Sequence, residues 1–127
     1  MSTIKANNIE EVTSGGATYF LSKAWVNFNG TGTVSIRDDG NVSSLTDNGT
    51  GNYSINFSTS LSSANYATSA TTNGGSSTYS LNSQTAILAS SNGGADPTTS
   101  VFRITTGNSA NASSKTDRTF THFMAVL

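Results

Sequence analysis

From Asn52 to Ser58 the chain reads Asn-Tyr-Ser-Ile-Asn-Phe-Ser, with Tyr53, Ile55 and Phe57 alternating with Asn52, Ser54, Asn56 and Ser58. Only an extended strand, with its side-chain period of two, sets such a sequence half in a core and half in water. The same alternation occurs upstream, where Ala24, Val26 and Phe28 fall on one side and Trp25, Asn27 and Asn29 on the other. Turn chemistry separates the runs: Gly30-Thr31-Gly32, Asp38-Asp39-Gly40-Asn41 and Asp47-Asn48-Gly49-Thr50-Gly51. These turns bracket two further strands over residues 33–37 and 42–46, with Val34 and Ile36 inward. The stretch from Lys23 to Ser58 therefore reads as antiparallel sheet, and the rest of the chain is organised around it.

Beyond it the runs are weaker, over residues 66–72, 78–81, 85–89 and 101–105. Their separators, Asn73-Gly74-Gly75, Asn82-Ser83 and Asn92-Gly93-Gly94-Ala95-Asp96-Pro97, are all turn chemistry. Leu61 to Asn65 reads as a short turn and Gly107 to Thr116 as a polar loop. The last strand, Arg118 to Leu127, sets Phe120, His122, Met124 and Val126 on one face and Thr119, Thr121, Phe123, Ala125 and Leu127 on the other. Eight or nine short strands, one Pro and no helical period predict an all-β fold, an antiparallel β-sandwich or jelly roll.

The first 16 residues stand apart, because Ile4, Ile9 and Val12 fit neither a strand nor a helix period. They read as an arm hinged at Ser14-Gly15-Gly16, followed by a single domain over 17–127. The arm either frays as a free terminus or, since three isolated apolar residues have little reason to stay in water, lies against a neighbouring chain.

A chain of 127 residues is enough for one core. Only 10% of the residues are charged, against a usual ~25%, and Ser, Thr, Asn and Gly make up about half. A net charge of -1, with six basic residues scattered along the chain, gives no footprint for nucleic acid or an anionic membrane. No apolar stretch suits a secretory leader or a membrane span, so neither secretion nor membrane insertion is expected. With no cysteine, disulfides and thiolate metal sites are ruled out.

No catalytic, metal or cofactor site assembles from these residues. Asp38, Asp39 and Asp47 form the one carboxylate cluster, and they sit at turns without the ligand spacing of a calcium loop. His122 is the sole histidine, so a zinc site within one chain is excluded and a Ser-His-Asp triad would have to recruit it by chance. A ring of three His122 side chains is conceivable in a trimer; a packed interior or interface histidine is the simpler reading. No glycine-bracketed serine elbow or phosphate loop is present, and an enzyme is not expected. Two features point to oligomerisation instead. Trp25 projects from the polar side of its strand, where it either anchors a loop at the sheet edge or is covered by another subunit, and the terminal strand is apolar on both faces, which wants cover on both. The expected interface residues are Trp25, Phe123, Ala125 and Leu127.

The stretch Lys-Ala-Trp-Val-Asn-Phe-Asn-Gly-Thr-Gly-Thr-Val from Lys23 to Val34 is followed by Ile36-Arg37-Asp38, by Asn41 to Gly51 and by Tyr53 to Ser58. Together these resemble a module of bacteriophage tail-fibre and related virion proteins of the cyanophage and marine-phage type. The opening Thr3-Ile4-Lys5-Ala6-Asn7-Asn8-Ile9 resembles the segment that often precedes that module. The resemblance covers about half of the chain. It implies a homotrimeric, non-enzymatic virion component, assembled in the host cytoplasm and engaged in host attachment, with Ile4, Ile9 and Val12 docking on other virion proteins. The chain is shorter than a typical fibre and has no long shaft, so a head-decorating fibre or capsid cement protein is the alternative. For an adhesin the expected ligand is a host surface glycan, since hydroxyls and amides offer sugars donors and acceptors without charge steering. The expected contacts are Asn73, Ser76, Tyr79, Asn92 and Asp96, with Tyr79 as the aromatic platform.

Overall fold

The structure, a computed structural model, describes residues 21–72, 85–88, 96–107 and 115–127. Its strands are β1 (Ser22–Asn29), β2 (Ser35–Gly40), β3 (Val42–Asp47), β4 (Asn52–Phe57), β5 (Ala67–Thr72), β6 (Thr85–Leu88), β7 (Val101–Gly107) and β8 (Thr121–Val126). They form two four-stranded sheets in the orders β2-β1-β8-β5 and β3-β4-β7-β6. Every pairing is antiparallel. The described residues are all-β, with no helix, as the alternation predicts.

The two alternating runs supply the inner faces. Ala24, Val26 and Phe28 of β1 are buried against Tyr53, Ile55 and Phe57 of β4, and Phe102 and Ile104 of β7 complete the second layer. Aromatic rings join the sheets: Phe28 meets Tyr53 edge-on at 5.1 Å between centroids, and Phe102 stacks on Phe123 at 4.6 Å. Each such pair adds about 0.5–1.5 kcal/mol beyond the area it buries. The core therefore sits between the two sheets, in the arrangement of a β-sandwich.

Three expectations change. Asp38, Asp39 and Gly40 belong to β2 and not to a turn, because the chain crosses from the first sheet to the second one residue later, at Asn41. Asn41 takes the left-handed φ of 59° that such a corner needs, and its side chain fastens it. The amide donates to the carbonyls of Lys23 and Thr59 and accepts from the Thr59 N–H. Second, β8 begins at Thr121, since Lys115–Arg118 is drawn off to bond elsewhere, as described below. Third, Phe123 and Ala125 are 3% and 0% exposed within the single chain, and Leu127 packs against the same core. Within the single chain they serve the core, and the side of β8 turned outward is that of His122 and Met124. The expected strand at 78–81 lies outside the described residues.

At one end of the sandwich a polar hub ties the loops together. The Tyr53 hydroxyl, at the edge of the core, lies 2.7 Å from Asp117 Oδ1 and 3.0 Å from the Gly30 carbonyl, which share its single proton. Asp117 Oδ1 also accepts from the Gly51 N–H at 2.7 Å, and the Gly30 N–H donates to the Arg118 carbonyl at 2.8 Å. Thr106 extends the hub, accepting from the Thr116 N–H and donating its hydroxyl to the Thr116 carbonyl. Gly51 is required here twice over. Its φ is 59°, and a Cβ would run into the Thr106 carbonyl and the Thr116 amide. Burial first, and the Asp117 carboxylate second, push the Tyr53 hydroxyl well above the usual tyrosine range.

Replacing Tyr53 by Phe leaves buried acceptors without their donor and is expected to cost about 1–3 kcal/mol, read as a lower denaturant midpoint. The pH dependence has a definite sign. The folded state holds the Tyr53 proton above pH ~10, where an unfolded tyrosine ionises, so this group's stabilisation is complete below pH ~10 and lost as pH rises further. Tyr53→Phe should flatten part of that alkaline loss. An unchanged midpoint and an unchanged alkaline limb would show that the hydroxyl holds nothing.

Candidate functional site

The outer faces of the two sheets differ in kind. On the second sheet the register places Ser44 beside Asn56 and Thr46 beside Ser54. These side chains satisfy one another: Asn56 Nδ2 donates to Ser44 Oγ at 3.0 Å and Thr46 Oγ1 at 3.1 Å, and Asn48 Nδ2 to Ser54 Oγ at 2.8 Å. Alternating Ser, Thr and Asn on paired strands thus makes a polar ladder, although Asn52 Oδ1, on the same side of β4, is buried without a hydrogen-bond partner among the described residues.

The first sheet presents a different surface. One row crosses it as Gly40, Trp25, Met124 and Ser69, on β2, β1, β8 and β5, and the next as Asp38, Asn27, His122 and Thr71. Trp25 is 38% exposed and Met124 42%, so two large apolar side chains stand together on the outside. The inner strands β1 and β8 hold the middle of the face, with Trp25, Asn27, His122 and Met124; Asp38 and Thr71 lie on the outer strands. Asn27 Oδ1 is buried and has no hydrogen-bond partner among the described residues.

Gly40 shapes this face. The five-membered ring of Trp25 rests where a Gly40 side chain would be, with Nε1 the atom that a Cβ would strike first. Regular pairing gives way to bulges beside the face, between Asn27 and Phe28 and between Ser22 and Ala24. At the first bulge the β2 strand skips Arg37, whose guanidinium covers the Phe120 ring at 4.1 Å and donates to the Thr119 carbonyl at 2.6 Å.

Of the expected interface residues, Trp25 alone lies on this exposed face; Phe123, Ala125 and Leu127 are spent on the core. The partners it has there are Asn27, which alternation along the same strand set on its polar side, and Met124 and His122, which alternation along the last strand set opposite Phe123 without saying which side was inside. Gly40 as Trp25's neighbour was hidden, since the turn expectation separated them.

Asn73, Ser76, Tyr79 and Asn92 lie outside the described residues, and Asp96 is exposed. The strands around them run in a telling way. The connection holding Asn73, Ser76 and Tyr79 leaves β5 and enters β6 at the end of the sandwich marked by Thr121 and Gly107. The one holding Asn92 and Asp96 leaves β6 and enters β7 at the other end. The five therefore do not belong to connections at one end. Ile4, Ile9 and Val12 also lie outside the described residues, which begin with Leu21, 55% exposed, and Ser22, paired with Val126.

The carboxylates serve local backbone. Asp39 Oδ2 accepts from the Val42 N–H and Asp47 Oδ1 from the Gly49 N–H. No three of His, Cys, Asp and Glu come together among the described residues in a way that could hold a metal ion. Comparison with known protein families, characterised proteins and solved structures gives no match.

A Gly40→Ala substitution must displace the indole, and Trp25 is the sole tryptophan, so its emission reads the change directly. The expected result is a shifted emission maximum with the cooperative unfolding transition kept. An emission spectrum identical to wild type would overturn the placement of Trp25 on Gly40.

Proposed function

We propose that the chain is a structural component of a phage virion, a short tail-fibre-like protein that works as a homotrimer and mediates attachment to the host surface. The carrying observation is the Lys23–Ser58 stretch, whose resemblance to virion fibre modules falls on one coherent unit, strands β1 to β4, the first two in one sheet and the next two in the other. The sandwich supplies a rigid, nearly uncharged body without a catalytic constellation among its described residues, which suits an adhesive or structural role. One outer face of hydrogen-bonded Ser, Thr and Asn and one carrying Trp25 and Met124 support a chain that presents one side to solvent and the other to neighbouring subunits. The arm docks on the virion through Ile4, Ile9 and Val12. Glycan contacts come from the loops carrying Tyr79 or Asp96.

Labelled protein incubated separately with host cells and with undecorated heads tests this reading. Binding to cells is expected; binding to heads alone would replace attachment by head decoration. Deleting residues 1–16 should leave the sandwich folded and abolish incorporation into particles. Incorporation of the truncated chain at the wild-type level would remove the docking role of the arm.

A further inference from the structure

We propose that Asn48 is a site of spontaneous modification: its side chain closes on the Gly49 nitrogen, loses ammonia and reopens as aspartate or isoaspartate, and the change loosens the hub around Tyr53. The reactants are the chain itself and water, so this holds whatever the protein attaches to.

An Asn-Gly pair carries this chemistry because glycine has no Cβ to keep its backbone nitrogen from the preceding carboxamide. The Gly49 nitrogen gives its proton to solvent base and forms a bond to Asn48 Cγ. The Cγ–Nδ2 bond breaks and ammonia leaves, which closes a five-membered succinimide. Water then adds to one of the two ring carbonyls and breaks that carbonyl's bond to nitrogen. Opening at Cγ gives aspartate. Opening at the main-chain carbonyl gives isoaspartate, whose backbone runs through the side chain and is one methylene longer. In sum a carboxamide and water become a carboxylate and ammonia, with nothing oxidised or reduced.

The sequence has four such pairs, Asn29-Gly30, Asn48-Gly49, Asn73-Gly74 and Asn92-Gly93, and the first two are among the described residues. The fold treats those two oppositely. Gly30 is buried and its N–H donates to the Arg118 carbonyl at 2.8 Å. The Asn29 carboxamide is closed on Thr31 from both ends: Nδ2 donates to the Thr31 carbonyl at 2.8 Å, and Oδ1 accepts from the Thr31 N–H at 3.2 Å and from its hydroxyl at 2.8 Å. Neither reacting group turns toward the other unless this end of the sandwich opens. Asn48 and Gly49, by contrast, are exposed in the β3–β4 turn, and no described residue lies within 4 Å of the place a Gly49 Cβ would take. The Gly49 N–H donates to Asp47 Oδ1 at 2.8 Å, and Asn48 Nδ2 donates to Ser54 Oγ at 2.8 Å and to the Thr46 carbonyl at 3.4 Å. Asp47 is itself exposed, so water replaces its bond to the nitrogen at little cost.

The effect reaches the hub within three residues. The turn is closed by the Asn48 N–H on the Asn52 carbonyl at 2.8 Å and the Asn52 N–H on the Gly49 carbonyl at 2.9 Å, and Gly51 between them donates to Asp117 Oδ1. A methylene inserted between residue 48 and Gly49 falls inside that pair of bonds. It shifts one against the other and moves Gly51, whose φ of 59° aims its N–H at Asp117. The new carboxylate also ends the donation to Ser54 and stands next to Asp47.

The test incubates the full chain at physiological temperature, at pH 7 and pH 9, both folded and in urea. Fragment spectra of its digest follow each Asn-Gly pair by the gain of about 1 Da that marks conversion. In the folded chain Asn48 should convert at least about 10-fold faster than Asn29, and faster at pH 9 than at pH 7; in urea the two rates should draw together. Chain converted at residue 48 alone, separated by anion exchange, should unfold at a lower urea concentration than unconverted chain. Asn48 remaining intact in the folded chain, or Asn29 converting there as fast, overturns the assignment of the site. An unchanged midpoint in the species converted at residue 48 overturns its effect on the hub.

Discussion

One hydroxyl group organises an end of this molecule. Tyr53 carries its ring into the core against Phe28 and holds its oxygen among Gly30, Asp117 and, through Asp117, Gly51. Left without partners, that buried oxygen would cost about 1–3 kcal/mol, which the converging backbone avoids. That convergence draws Lys115–Arg118 away from the line of β8, delays the start of the last strand to Thr121 and lets the β1–β2 and β3–β4 turns approach one another. Glycine at position 51 follows from the same crowding. The sheets could stack without this hub, but their connections would have no fixed place.

The two outer faces divide the surface chemically. In the second sheet, Ser44, Thr46, Asn48, Ser54 and Asn56 close on one another, with Arg103 beside Ser54 and a buried, unpartnered Asn52 oxygen on the same side. In the first sheet, the corresponding positions are taken by a tryptophan, a methionine, a histidine and an amide whose oxygen is buried without a partner. Both faces come from period-two strands of similar length, so the difference lies in residue type alone. It sets where this otherwise uniform polar domain can hold on to something else.

Period two was enough to read the class of fold, the four strands of the Lys23–Ser58 stretch and the inward sides of β1 and β4. Tyr53, Ile55 and Phe57 face inward because only they, on that strand, are apolar. It failed on β8, where both sides are apolar and the sequence has no local means of ranking Phe123 and Ala125 above His122 and Met124. That choice is made by Phe57 and Phe102, which arrive from far along the chain to stack on Phe123. Turn chemistry misled by three residues at Asp38-Asp39-Gly40-Asn41, because Asn, the L residue that most readily enters the left-handed region, took the corner here in place of Gly. Gly40 was then free for another purpose, making room for an indole across the strand, which no local rule announces. The hub is illegible for the same reason: Asp117 is 64 residues from Tyr53, and nothing in the spacing links them.

The pairing of Ser22 with Val126 has a mechanical meaning. Strand β1 enters at the end of the sandwich from which β8 leaves, and it is bonded on both flanks, to β8 and to β2. A load carried from an anchored residue 21 to the opposite end of the body pulls β1 along its own axis. Its cross-strand bonds lie perpendicular to that pull and share it in shear. A load between residue 21 and residue 127 instead peels β1 from β8 one bond at a time. The same strand is thus strong as a tether to the body and weak as a zipper between the chain's two ends.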